Sequence, residues 1–285
     1  QDKRYATLIY RARAKTAAYA CLGLFAALTA SAGGLPRTAN VAGGVVIVPL
    51  GARPAAPTVQ FNDRPVLVTQ AGGEWQAVVG IPLSAEPGEH LLSVSRAAGA
   101  GSPAPNKETI RFQVEGKKYP AQYLKVAPRQ VDLSPSDLAR YERERVLQAD
   151  ALATFSPQMP ATLEFEWPVR GRLSSPFGFR RYFNNQARNP HSGLDIAAAT
   201  GTAVKAPAHG VVVTTGDYFV NGKTIFGDHG QGFITMYCHL SRIDVIPGAT
   251  IKTGQTIGAV GATGRATGPH LHFGVSLNGA MVEPS

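Results

Sequence analysis

Six of the chain's seven histidines lie from His191 onward, and their spacing points to chemistry before any element is assigned. His191 and Asp195 stand four apart in HSGLD, and Gly193 between them permits a tight backbone bend, so both metal-capable heads can converge. His270 and His272 flank one leucine in GPHLHFGV, which reads as a strand. Residues two apart in a strand face the same way, so both imidazoles leave one face while Leu271 and Phe273 pack on the other. Two neighbouring histidines on a core face are costly unless a metal or hydrogen-bond partners satisfy them. In Met236-Tyr-Cys-His-Leu240, strand alternation puts Tyr237 and His239 on one face and Cys238 on the other with Met236 and Leu240. That separation argues against a Cys–His hydrolase and makes Cys238 a small core residue.

A catalytic zinc site takes three protein ligands and keeps one position open for water. His191, Asp195, His239, His270 and His272 are the candidates, and spacing alone leaves open which three bind. The set exceeds what a three-ligand site requires. Spare imidazoles beside such a site serve general acid–base catalysis and stabilise developing charge. The other histidines read as structural: His90 after the turn Pro87-Gly88-Glu89 as a surface residue, His209 as an exposed turn residue, and His229 as the brace of a turn near the site.

These residues need a scaffold, and the composition limits what it can be. With 31 Gly and 21 Pro among 285 residues, turn-rich β structure is expected over most of a chain long enough for two domains. From residue 164 to 285, segments such as VVVTTG, FITMYCHL, TIGAVG and HLHFGVSL read as strands joined by Gly turns. Residues 41–127 hold further short strands (VVIVPL, PVLVTQ, EWQAVVGIPL, HLLSVSR, TIRFQVEG) at the spacing of a small immunoglobulin-like β-sandwich. Residues 128–163 form a linker with one helix over 134–155, started by Ser134 as cap, Pro135 in the first turn and Asp137 in the capping-box position. Either upstream element could cover the catalytic groove. The polar, Asn-rich stretch from Arg181 to Pro190 reads as a mobile loop.

The formal charge of +9 suits an anionic polymer as well as a solvated surface. No basic helix, aromatic-basic strand signature or finger spacing accompanies it, so no nucleic-acid partner is expected. Part of the excess sits in residues 1–32, where Lys3, Arg4, Arg11, Arg13 and Lys15 precede the apolar run Ala17 to Ala30 and the A-x-A sequence Ala30-Ser31-Ala32. This is the pattern of an export signal, or of an N-terminal membrane anchor if uncleaved. Cys21 lies inside the apolar run, which leaves Cys238 alone and no disulfide framework.

Taken together, SSPFGFR, HSGLDIA, GTAVKAPAHGVV, GQGFITMYCHLS, VIPGATIKTGQTIGAVGATG and GPHLHFGV make residues 165–285 resemble the lysostaphin-type (LytM-like) zinc endopeptidases of peptidoglycan. The resemblance implies a mainly β fold, with an antiparallel sheet carrying a groove. It implies one Zn2+ held by His191, Asp195 and His272, with His239 and His270 as catalytic histidines. Members also use a tyrosine before the first ligand, for which Tyr182 is the nearest candidate. The implied partner is the peptide stems and cross-links of peptidoglycan, cut at D-Ala–diaminopimelate or glycine-bridge bonds, in the periplasm or at the wall. Arg170, Arg172, Arg180, Arg181 and Arg188 would suit acidic stems. Some relatives have lost ligands and only regulate other wall hydrolases. The Val- and Gly-rich spacing also resembles biotinyl and lipoyl carrier domains, but no lysine stands at a suitable hairpin tip.

Overall fold

The structure, a computed structural model, describes residues 34–95, 107–126 and 131–285. The expected signal or anchor over residues 1–32 lies outside the described residues. Among the described residues, no helix is long and apolar enough to cross a membrane.

The C-terminal part is organised by an antiparallel sheet in the order Thr250–Ile251, Gly210–Tyr218, Gly222–Asp228, Ile234–Leu240, His270–Leu277, Leu194–Ala197, Arg172–Ser175, with Ala280–Val282 paired to His270–Leu277. Its central strand ITMYCHL is buried at every residue, because both faces of the sheet are covered. One face carries the main core, including Ile225, Tyr237, Leu240, Leu271, Phe273 and Val275. The other carries Met236 and Cys238, packed with Phe226, Ile234 and helix residue Ala151. Asn278-Gly279, both at positive φ, close the last hairpin with the two left-handed residues that such a turn requires.

Upstream, two antiparallel sheets face each other. Val45–Gly51, Glu74–Gly80 and Leu67–Ala71 form one; Arg64–Pro65, Thr58–Phe61, Gly88–Ser95 and Lys107–Val114 form the other. Val46, Val48, Val68, Ala77, Val79, Leu92 and Val94 fill the space between them. Their neighbours Val45, Leu67 and Val78 point the opposite way, into the core of the C-terminal sheet, beside Val275, Leu277 and Val282. The first sheet is therefore apolar on both faces, which accounts for the unbroken VVIV run. His90, expected at the surface, is half-buried between Phe61 and Phe112.

The expected boundary at 127 needs correction. The strand Ala121–Leu124 leaves the sandwich and pairs in parallel with Arg180–Phe183. The supposed loop after Arg181 is a hairpin: Arg180–Phe183 turns through Asn184 and Asn185, both at positive φ, into Gln186–Ala187. The asparagines supply the left-handed turn rather than mobility. Pro135–Leu152 is the helix, with Ser134 Oγ accepting from the Asp137 amide. It docks rather than standing in solvent. Glu144 accepts from the Phe219 amide at 2.6 Å, and Gln148 accepts from Asn221 Nδ2 at 2.8 Å.

Two polar clasps seal the join between sandwich and C-terminal sheet. Asn278 donates to the Gly80 carbonyl at 3.0 Å and accepts from its amide at 2.6 Å, and Gln231 accepts from the Val68 amide. Asn278→Gly keeps the positive φ but removes both bonds from a buried site, at a cost of about 1–3 kcal/mol. Calorimetry should show a lowered midpoint, and the unmodified protein should melt from residue 34 onward in one transition. Two separate transitions would mean that the shared core does not couple the halves.

Candidate metal centre

Asp195 and His272 are register partners on adjacent strands, so their side chains leave the same face. His191 enters that face from the segment before Leu194–Ala197. Asp195 Oδ1 lies 2.9 Å from His191 Nε2 and 2.8 Å from His272 Nδ1, and those two nitrogens are 3.0 Å apart. The three donor atoms lie within 4.8 Å of one another. His191 Nδ1–H donates to the Pro176 carbonyl at 2.7 Å, which leaves Nε2 as a lone pair aimed at the cluster. Two such nitrogens and a carboxylate oxygen converging this closely fit a divalent cation with nitrogen and oxygen ligands.

Arg181 holds the carboxylate from behind, with Nη2 at 3.0 Å from Asp195 Oδ2. Burial by itself would raise the Asp195 carboxyl; the neighbouring His191 and His272 outweigh it and hold the group well below the ordinary range. Burial lowers the His272 imidazole against the pull of Asp195. Both effects favour a neutral imidazole beside a carboxylate, the protonation state of metal ligands.

Gly193 lies at the bend expected of it, without a positive φ. It is needed for space: a Cβ there would stand 2.9 Å from His272 Cε1 and Nε2 and collide with the Phe273 carbonyl oxygen.

His239 departs from the strand alternation. Ile225 pairs with Tyr237 and Lys223 with Leu240, so Cys238 and His239 together oppose the single residue Thr224. His239 takes φ 62° in this bulge and turns onto the face that carries Cys238, instead of sharing a face with Tyr237. Leu240 is correspondingly moved to the Tyr237 side. The His239 ring then lies 4.7 Å from that of His270 and 6.1 Å from that of His272, centre to centre. Nδ1 of His239 donates to the Thr263 carbonyl and Nδ1 of His270 to the Gly268 carbonyl, each at 2.8 Å, so both Nε2 atoms are acceptors. Burial pushes the His239 imidazole down to about 3, helped by His272 and His270. Burial also pushes the Cys238 thiol up to about 12, so it is no nucleophile.

Tyr182 is not brought to the site. It stacks on Tyr123 at 4.7 Å, on the hairpin face opposite Arg181 and Phe183. Alternation decides this: Arg181 takes the inward position and Tyr182 the outward one. Of the candidate stem-binding arginines, Arg181 and Arg188 line the cavity over the site, whereas Arg180 is exposed and bonded to the Tyr119 carbonyl. Arg265, Ser175 and the carbonyls of Pro176, Thr263 and Gly268 had no distinct signal in spacing, since backbone acceptors leave none. His229 braces a turn through the His209 carbonyl and Thr235, but on the core side of the sheet, away from the ligands.

The cavity measures about 1060 Å³. His191, His239 and His272 lie at its base, helix residues Leu138, Tyr141, Arg145 and Gln148 form one wall, and the Arg180–Phe183 hairpin forms another. Of the two upstream elements expected to cover the groove, the helix does so. The sandwich packs on the opposite face of the sheet.

Residues 189–284 match the family described as Peptidase family M23, and residues 38–117 match its Peptidase family M23 N-terminal domain. A crystal structure described as an M23 peptidase from Pseudomonas aeruginosa is 47% identical, covers 87% of this chain and 94% of that one, and superposes with a TM-score of 0.73. The protein named DD-carboxypeptidase/endopeptidase Mpg from Neisseria meningitidis serogroup B is 42% identical over 116 residues, 41% of this chain and 27% of that protein. Peptidoglycan DD-endopeptidase ShyA from Vibrio cholerae is 42% identical over 119 residues, 41% of this chain and 28% of that protein. The matched stretch thus spans little more than a quarter of these curated relatives.

Because Gly193 clears space for the His272 ring, Gly193→Ala should weaken binding of a divalent metal roughly 10–100-fold, the usual effect of displacing a ligand's support. Chelator competition measures it, with circular dichroism as the control for folding. Unchanged affinity would show that the ring tolerates the displacement.

Proposed function

This chain belongs to peptidase family M23, and from that premise we propose that it is an exported zinc endopeptidase hydrolysing peptide cross-links of bacterial peptidoglycan. The observation that carries the reading is the meeting of two sets of side chains on one sheet face. His191, Asp195 and His272 form a three-ligand set, and His239 and His270 stand beside it with their Nε2 atoms free to handle protons. A regulator without activity would leave that second pair without a task. The names of the Neisseria and Vibrio relatives support the substrate class, and the signal-like residues 1–32 support export to the periplasm.

His191, Asp195 and His272 would hold the zinc. When bound, the metal supplies a Lewis acid that polarises a carbonyl and acidifies water. Around it, the residues of this chain bind, orient and move protons. Arg181 keeps the Asp195 carboxylate aimed at the ligand cluster. His239 and His270 would divide two tasks at their Nε2 atoms: one takes a proton from the attacking water, and the other, once its Nε2 carries a proton, hydrogen-bonds the carbonyl oxygen as charge develops on it. The proton then passes to the departing amine. The carbonyls of Thr263 and Gly268 hold Nδ1–H of both rings, which leaves Nε2 as the atom that takes up a proton.

Digestion of purified peptidoglycan, with mass analysis of the fragments, tests the activity and identifies the bond. Asp195→Ala should lose metal and activity together. His239→Ala and His270→Ala should keep stoichiometric zinc and lose rate by roughly 10²–10⁴-fold. Zinc lost from His270→Ala but retained in His272→Ala would reverse the roles of the H-x-H pair.

A further inference from the structure

The helix over Pro135–Leu152 directs three of its polar side chains at one turn of the catalytic sheet. Arg140, Glu144 and Gln148 stand four apart, so they form one row along a single helix face. The row meets Asp217, Phe219 and Asn221, alternate residues where Gly210–Tyr218 turns into Gly222–Asp228. Arg140 Nη2 donates to the Asp217 carbonyl at 3.0 Å, Glu144 Oε2 accepts from the Phe219 amide at 2.6 Å, and Gln148 Oε1 accepts from Asn221 Nδ2 at 2.8 Å. Glu144 is itself held by Arg140 Nε at 2.6 Å and is largely shielded from water. A carboxylate that accepts a backbone amide makes the strongest of the three bonds to the turn.

That turn is the common base of the two contacts that orient His239. The His239 amide donates to the Asn221 carbonyl at 2.8 Å, and its Nδ1 donates to the Thr263 carbonyl, also at 2.8 Å. Thr263 is tied to the same turn from the other side. Its Oγ1 accepts from the Lys223 amide at 2.9 Å, and the Arg265 amide donates to the Val220 carbonyl at 2.8 Å. Gly222, at φ 61°, lies so close to this segment that a Cβ would stand 2.6 Å from the Gly264 amide nitrogen. His239 keeps its left-handed backbone only where its surroundings impose it. Both of its anchors lead back to the turn that the helix grips.

We propose that Arg140, Glu144 and Gln148 are positioning residues for His239. The helix aims the imidazole through the turn, so the wall that narrows the cavity is also required for turnover. A helix serving only as a cover would speed the reaction when released, whereas release of this one slows it. The inference rests on the reading that His239 handles a proton in peptide hydrolysis.

The test uses the zinc-loaded full chain and a synthetic cross-linked stem peptide. Glu144→Leu, Gln148→Leu and the double variant remove the acceptors while keeping a good helix former at each position. The double variant should retain stoichiometric zinc and lose kcat by up to roughly 10²-fold, the effect of misplacing a reacting group by about 1 Å. KM should change far less. Glu144→Gln keeps an acceptor for the Phe219 amide and should restore most of the rate lost in Glu144→Leu, which a general weakening of the fold would not allow. Hydrogen exchange supplies a readout without substrate. The His239 amide should lose protection in the double variant, while the amides of Ile234, Thr235 and Met236 in the same strand keep theirs. If the unmodified protein cleaves no peptide but this exchange shift is seen, the positioning stands and the endopeptidase reading falls. Unchanged kcat with unchanged exchange, a raised kcat/KM, or a Glu144→Gln protein as slow as Glu144→Leu would overturn the proposal.

Discussion

The Asp195 carboxylate is the point at which separate parts of the chain become one site. Its Oδ1 lies between His191 and His272, and its Oδ2 accepts from Arg181. The register of Leu194–Ala197 against His270–Leu277 sets it opposite His272. A slip of one residue would turn it into the core with Ile196. Ser175 and Pro176, at the end of the sheet's edge strand, hold the far side of the His191 ring. The hairpin that brings Arg181 is itself held by Ala121–Leu124. Each contact is local, yet the carboxylate is correctly placed only when four segments distant in sequence are in register.

The period-two rule made part of this geometry legible. It places His270 and His272 on one face and Leu271 and Phe273 on the other, as the structure has them. It fails at His239 because alternation presumes an unbroken ladder, and a single left-handed residue resets the count. Little in MYCHL marks that bulge: histidine is enriched at positive φ, but most histidines in strands keep the extended backbone. Tyr182 fails for a related reason. A stretch rich in Asn reads as a loop, whereas the paired asparagines close a hairpin whose alternation directs Arg181 inward. Gly193 bends as expected and serves a second need as well, which stayed hidden because clearance for a ring across the sheet has no local signature.

The join between the two halves was hidden by a similar ambiguity. A strand apolar on both faces resembles any buried strand, and VVIVPL does not say that alternate valines serve different cores. Once the second core is seen, the sandwich is a buttress for the back of the catalytic sheet. Removing it would expose the flank of Val275, Leu277 and Val282 to water. The apolar residues in that contact make a rigid union more favourable than a hinged one.

The helix has the complementary position, on the working face, and its attachment gives it two roles that pull in opposite directions. As a wall it narrows access to His191, His239 and His272. As a support it fixes, through Glu144 and Gln148, the turn at Phe219 to Asn221, whose Asn221 carbonyl accepts the His239 amide within the bulge. A residue at φ 62° is strained and keeps that conformation only when its surroundings determine it. Swinging the helix away would therefore widen the cavity and at the same time loosen the backbone that turns His239 toward the site. The helix sequence fits this dual duty. Its outward residues mix the charged Arg140, Glu142, Arg143 and Arg145 with exposed Leu138, Val146 and Leu147, its buried contact is confined to the last turn at Ala151, and its polar anchors sit in the middle of the helix. Such a wall is held by a few directed hydrogen bonds instead of a broad apolar seam. Its displacement costs little hydrophobic area, and the main consequence is felt at the histidine it supports.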